Sequence, residues 1–161
     1  MKVLTVLVPT YNVEKYLRRC LDSLLLPEVL EEIEVLVVND GSKDGSADIA
    51  RAYEKKYPQT VVFVDKENGG HGSTINVGIE KAQGTYFKVL DSDDWVNIGD
   101  FIEFVKRLKE ETADAVICDY RKEHVYNGKS EYFEYKDLED GKKYNLNEID
   151  LNILHGEYFM M

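Results

Sequence analysis

The sequence predicts an α/β fold, a mainly parallel sheet flanked by helices, with a hairpin inserted near the C-terminal end. Three observations carry this expectation. Short β-branched, apolar runs alternate with segments whose apolar residues recur at helical spacing, an order that builds parallel sheets through right-handed crossovers. The runs are apolar throughout instead of at every second residue, as strands covered on both faces require. After Tyr120 the texture turns polar and tyrosine-rich, and Asn127-Gly128 is a strong hairpin signal.

Taken in order, "KVLTVLV" (2–8) reads as the first strand, with Pro9 as its end because proline cannot donate to a ladder. "EKYLRRCLDSLL" (14–25) follows as a helix, "IEVLVVN" (33–39) as the second strand and "SADIARAYEKKY" (46–57) as the second helix. "TVVFV" (60–64), "STINVGIEKAQ" (73–83) and "TYFKVL" (85–90) continue the alternation as strand, helix and strand. A fourth helix is expected over "IGDFIEFVKRLKEE" (98–111) and a fifth strand over "DAVICDY" (114–120). The terminal "ILHGEYFMM" is apolar and aromatic with no cap or polar tail, so the chain reads as part of a longer protein.

With 161 residues, 43% of them hydrophobic, the chain can bury a sizeable core. Its formal net charge of -11 argues against binding nucleic acid or an anionic membrane through bulk charge. A polyanionic ligand would need a metal ion or oriented backbone amides. Cys20 and Cys118 have no paired spacing and read as core thiols of a reducing compartment. The N-terminus lacks a cleavage site, and no apolar run approaches the roughly 20 residues that span a bilayer. The expectation is a cytoplasmic protein, at most peripheral at the inner face of the membrane.

In an open parallel sheet the ligand crevice lies beyond the carboxyl ends of the strands. The loops expected there are "PTYN" (9–12), "NDGSKDGS" (39–46), "NGGHGSTIN" (68–76) and "DSDD" (91–94). Tyr11 offers a flat face to a base, or is an aromatic at the core edge. Asp40 can accept hydrogen bonds from a base or ribose, or serve as a turn or helix-cap carboxylate. The glycines after Asn68 let backbone approach a ligand, with helix N-terminal amides suited to a phosphate, or simply make a turn. "DGSKDGSADIAR" also imitates a calcium loop through Asp40, Ser42, Asp44 and Gly45, but the twelfth position is Arg51 where a bidentate Glu is needed. Asp91, Asp93 and Asp94 repel one another unless something positive joins them.

Together, "VPTYNVEKYLRRCLDSLL", "VVNDGSKDGS" and "GTYFKVLDSDDW" resemble the inverting, nucleotide-sugar-dependent glycosyltransferases of family 2, with the Rossmann-like GT-A fold, over about residues 3–120. The resemblance implies a donor-binding region over 1–120, followed over 121–161 by the hairpin and the start of an acceptor-side region. It implies transfer of a sugar from a nucleoside diphosphate, UDP by preference, to a glycan, lipid-linked or protein hydroxyl. Donor-binding residues would be Pro9, Tyr11, Asp40, Asn68, Gly70 and Asp91, the last near the ribose. Asp93 would bind Mg2+ or Mn2+ bridging the two phosphates. Asp94 would orient the acceptor or, as favoured here, cap the next helix. The catalytic base would lie downstream of residue 161, since Asp150 and Glu157 qualify by position only. The family's commonest Ala-Arg-Asn run is broken at Ile75, leaving His71 or Lys66 to supply a positive partner. Two rival classes are a nucleotide-sugar-binding module without turnover and a magnesium-dependent phosphoryl-transfer domain. The second fits poorly, because strand one ends without an Asp.

Overall fold

The structure, a computed structural model, describes residues 1–145 and 147. The chain divides into two compact units, 1–111 and 112 onward. In the first, β1 (Leu4–Thr10), β2 (Ile33–Asp40), β3 (Val61–Lys66) and β4 (Tyr86–Val89) form one parallel sheet in the order β3-β2-β1-β4. Helices α1 (Leu17–Leu24), α2 (Ser46–Lys56) and α3 (His71–Lys81) make the crossovers, and α4 (Ile98–Leu108) follows β4.

Every residue of β1 and β2 is buried, which explains their unbroken apolar runs. The expectation of two covered faces fails for β3 and β4, which are only partly buried because they are the sheet edges. On one face Leu7, Leu36 and Val38 form a cluster against which Ile75 and Val77 of α3 pack. The alternate residues Val6, Val8, Val35 and Val37 are buried on the opposite face. Leu17, Leu21 and Leu24 of α1, and Phe101 and Val105 of α4, are among the other buried apolar residues.

Pro9 does not end the first strand. It lies within β1, opposite Val38, and the strand runs on to Thr10. The β4 ladder stops at the Leu7–Val89 pair, so beyond it β1 is an open edge on that side and tolerates a residue without an N–H.

The second unit contains a hairpin of β5 (Tyr120–His124) and β6 (Lys129–Phe133), with Asn127-Gly128 in its turn and Gly128 at φ +67°. The strand expected over 114–120 does not form: residues 114–119 join no ladder, and Tyr120 belongs to the antiparallel hairpin. An apolar composition cannot make a strand whose backbone finds no partner. Cys20 is a core thiol, whereas Cys118 is only half-buried, and neither is in a disulfide. No helix among the described residues is long and apolar enough to cross a membrane. Asp150 and Glu157 lie outside the described residues.

Gly78 sits where α3 meets β1, and a Cβ there would fall 2.6 Å from Leu7 Cδ2. Alanine would gain up to about 1 kcal/mol of helix propensity but would overpack a closed core at about 1–3 kcal/mol. Gly78→Ala is therefore expected to lower the urea midpoint of the first unit, a direction opposite to that of Gly→Ala at an exposed helix position.

Candidate functional site

The parallel sheet brings all four strand ends to one rim. Because β2 lies on one side of β1 and β4 on the other, the topological switch point falls between β1 and β4. "PTYN" and "DSDD" flank that point.

Asp40 closes β2 and is buried, 3% exposed. Lys66, opposite it in register at the end of β3, donates its ammonium to Asp40 Oδ1. Gly69 N donates to the same oxygen at 2.9 Å and Gly70 N to Oδ2 at 2.8 Å. Asn68 Nδ2 donates to the Asp40 carbonyl at 3.0 Å. Asp40 thus ties down the Gly-rich loop and caps no helix. Burial pushes its carboxyl up, but the Lys66 and Gly69–Gly70 hydrogen bonds outweigh burial and hold it below the ordinary carboxylate value. The glycines, whose sequence suggests a turn or a backbone open to a ligand, here turn the amides of Gly69 and Gly70 onto the protein's own carboxylate. Gly70 has φ +81° and ψ 167°, a conformation open essentially to glycine alone.

Lys66 Nζ also donates to the Glu67 carbonyl at 2.6 Å and to Ser73 Oγ at 2.9 Å, reaching the first turn of α3. Of the two cations weighed for this loop, it is Lys66 that meets Asp40; His71 opens α3 and is exposed. Ile75 is absorbed by packing against Leu7, Leu36 and Val38.

A second clamp joins the loops after β1 and β2. Asn12 N donates to Ser42 Oγ at 3.0 Å, while Asn12 Oδ1 accepts from Lys43 N at 2.8 Å. Val13 N donates to Ser46 Oγ, and Glu14 N and Ser46 N donate to the two oxygens of Asp44. Glu14 Oε2 accepts from Gly45 N at 2.7 Å. These bonds occupy Ser42, Asp44 and Gly45, three of the four positions that imitate a calcium loop. Burial opposes ionisation of Asp44, yet the bonds from Ser46 and Glu14 hold its carboxyl below the ordinary value. Asn12 takes φ +53°, and the adjoining Tyr11 stands half-exposed at the rim. The reciprocity of this clamp was not readable in sequence, where Asn, Asp, Ser and Gly signal only a turn.

The acidic turn is built differently. Asp94 N donates to the Asp91 carbonyl at 2.9 Å, closing a turn in which Asp93 is exposed and Ser92 buried. Asp94 does not cap α4: the helix starts at Ile98, and Asn97 Oδ1 accepts from Gly99 N and Asp100 N. Burial, then Asp93 and Asp91, raise the Asp94 carboxyl above its ordinary value, with Lys88 pulling the other way. The turn leans on α1, where Cys20 Sγ lies 3.8 Å from the Asp91 carbonyl and Ser23 Oγ accepts from Val96 N at 3.2 Å. Burial pushes the Cys20 thiol up to about 12, with Asp94, Asp93 and Asp91 adding to it. Arg19 of α1 stacks over Trp95, 3.2 Å from its ring centre, a contact the sequence reading did not anticipate. Among the described residues no three His, Cys, Asp or Glu side chains form a metal site unaided. An all-oxygen set furnishing one or two carboxylates fits a hard cation that also takes phosphate oxygens and water.

Residues 5–161 match the family model for glycosyl transferase family 2. The chain belongs to that family. Among its relatives, the glycosyltransferase GlyA of Streptococcus pneumoniae is 38% identical over 118 residues, covering 73% of this chain and 16% of GlyA. The structure of S. aureus TarS 1-349 in complex with UDP-GlcNAc superposes with a TM-score of 0.58 at 34% identity, covering 68% of this chain and 32% of that one. The mannosyltransferase PcManGT of Pyrobaculum calidifontis, in complex with GDP-Man and Mn2+, gives a TM-score of 0.62 at 26% identity over 77% of this chain and 36% of its own. The family 2 chain described here therefore spans only a third or so, or less, of these proteins, and the α/β sheet they share is of the GT-A type.

Two predictions follow from the clamps. Asp44 has a folded pKa below its ordinary 3.8, so its stabilising effect is complete above that value and is lost as pH falls through the folded one. Asp44→Asn is expected to lower the urea midpoint at pH 7, with the gap to wild type closing at acid pH. Asn12→Ala, forced into a left-handed conformation and stripped of its acceptor, is expected to lose about 1–3 kcal/mol, and Asn12→Gly less, in thermal or urea unfolding.

Proposed function

We propose that this chain is the donor-binding part of a glycosyltransferase that takes a nucleoside-diphosphate sugar, UDP-linked by preference, and delivers the sugar with inversion to an acceptor hydroxyl. The observation that carries the reading is a turn beside the switch point of a family 2 sheet that crowds Asp91, Asp93 and Asp94, with Asp93 exposed and the Asp94 carboxyl raised by burial and its acidic neighbours. The nucleotide-bound relatives, one with UDP-GlcNAc and one with GDP-Man and Mn2+, support it.

In this reading Tyr11 stacks on the base, and Pro9 gives the strand end that carries it a fixed backbone. Asp40, with the loop of Asn68 and Gly70 folded onto it, forms the wall against base and ribose. Asp91 accepts from the ribose. Asp93 would hold a divalent ion, Mg2+ or Mn2+, which when bound offsets the charge of the donor's diphosphate. Asp94, kept above its ordinary pKa by burial and its neighbours, adds negative charge that such an ion would relieve. Residues 1–120 serve as the donor region, and the segment from 121 begins the acceptor side, which carries the base that deprotonates the acceptor hydroxyl. A nucleotide-sugar-binding module without turnover is the second reading, favoured by the same site residues without a base among those described.

Calorimetric titration of UDP into the chain tests the proposal. Binding is expected with Mn2+, with loss of tenfold or more in EDTA or in Asp93→Ala, about 1.4 kcal/mol or more. Absence of binding in the presence of Mn2+ would overturn it. Release of sugar from a bound donor on addition of an acceptor would exclude the second reading.

A further inference from the structure

The Asp40–Lys66 pair deepens the donor-site reading and rests on it for its functional consequence. A carboxylate only 3% exposed at the end of a central strand is costly unless donors surround it. Three do: the Lys66 ammonium, Gly69 N and Gly70 N. The same ammonium reaches Ser73 Oγ at the start of α3, and Asn68 is tied to the Asp40 carbonyl. Asn68, Gly69, Gly70 and Ser73 of the Gly-rich loop are therefore all tied to Asp40 or Lys66.

We infer that Lys66 is a positioning residue, the counter-ion of an internal latch in which Asp40 fills the amide nest of Gly69 and Gly70, so that this nest seats the protein's own carboxylate and a donor phosphate must lie elsewhere on the rim. Space supports the assignment. A Cβ on Gly69 would lie 2.8 Å from Ser73 Oγ and 3.0 Å from Lys66 Nζ, so the loop is already packed around the ammonium. With two donors on Oδ1 and one on Oδ2, Asp40 keeps its free acceptor capacity mainly on Oδ2. Lys66 thereby sets which carboxylate oxygen keeps the larger free acceptor capacity.

Amide hydrogen exchange at Gly69 and Gly70, read by NMR on the full chain without ligand, tests the latch independently of donor binding. Lys66→Met leaves a buried carboxylate without its cation and is expected to speed exchange about tenfold or more. Lys66→Arg, which keeps the charge, should stay closer to wild type. The double variant Lys66→Met/Asp40→Asn removes the charge from both sides while keeping one acceptor, and should exchange more slowly than Lys66→Met alone at whichever of Gly69 and Gly70 donates to the remaining carbonyl oxygen. Unchanged exchange in Lys66→Met, or a double variant no better protected than the single, would overturn the latch. Should Lys66→Met fail to fold, folding of the double variant supports the latch and its failure overturns it. UDP titration with Mn2+ is run in parallel: weaker binding by Lys66→Met ties the latch to the donor site. A wild-type chain that does not bind UDP would sink the donor reading while leaving the exchange result to decide the latch.

Discussion

A carboxylate buried at the end of a central strand has to be met by donors, and much of the rim is the answer to that requirement. Asp40 is fixed by the fully buried β2 strand and cannot swing out to water. Lys66 lies opposite because parallel register pairs the last residues of β2 and β3. The chain after Lys66 then curls back to lend two amides, which only a glycine at position 70 permits. That curl sets where α3 begins, and α3 in turn packs Ile75 and Val77 over Leu7, Leu36 and Val38. Local electrostatics and core packing are thus linked through one side chain.

The two sides of the switch point differ in how their acids are treated. Asp40 and Asp44 accept from backbone amides and, for Asp40, from a lysine, and both ionise more readily than usual. At the turn 91–94 burial and the neighbouring acids outweigh the pull of Lys88: Asp94 ionises less readily than usual, and Cys20 beside it is held as a thiol. Negative charge is satisfied internally on one side and concentrated on the other. A hard cation with a polyphosphate is the kind of ligand that suits the second arrangement.

Much of this architecture was legible in the residues. Unbroken apolar runs marked β1 and β2 because both faces of those strands are covered, and the helical stretches showed their buried faces through spacing. Loop composition marked the right rim because Asp, Asn and Gly follow each strand. What failed were readings that need a partner. Pro9 reads as a terminator because the early end of the β4 ladder is not visible in β1's own sequence. Asp94 has the chemistry of a cap, but Asn97 stands at the helix start and accepts from Gly99 N and Asp100 N. Residues 114–119 have strand composition but no ladder. The glycines after Asn68 suggest a turn or a backbone open to a ligand, and the sequence cannot say that Asp40, some thirty residues earlier, takes the amides of Gly69 and Gly70.

The placement of β4 has a consequence for the order in which the molecule assembles. Strand β1 finds β2 within one crossover, Leu4 pairing with Ile33, whereas its other neighbour joins through Leu4 and Tyr86, 82 positions apart. Closing the longer loop costs more chain entropy, and in compensation β4 brings only a four-residue ladder. The β1–β2–β3 half can therefore consolidate while the far edge is still open. On that account the acidic turn, hung from the end of β4, is the last part of the rim to reach its final geometry and the first to lose it when the sheet frays.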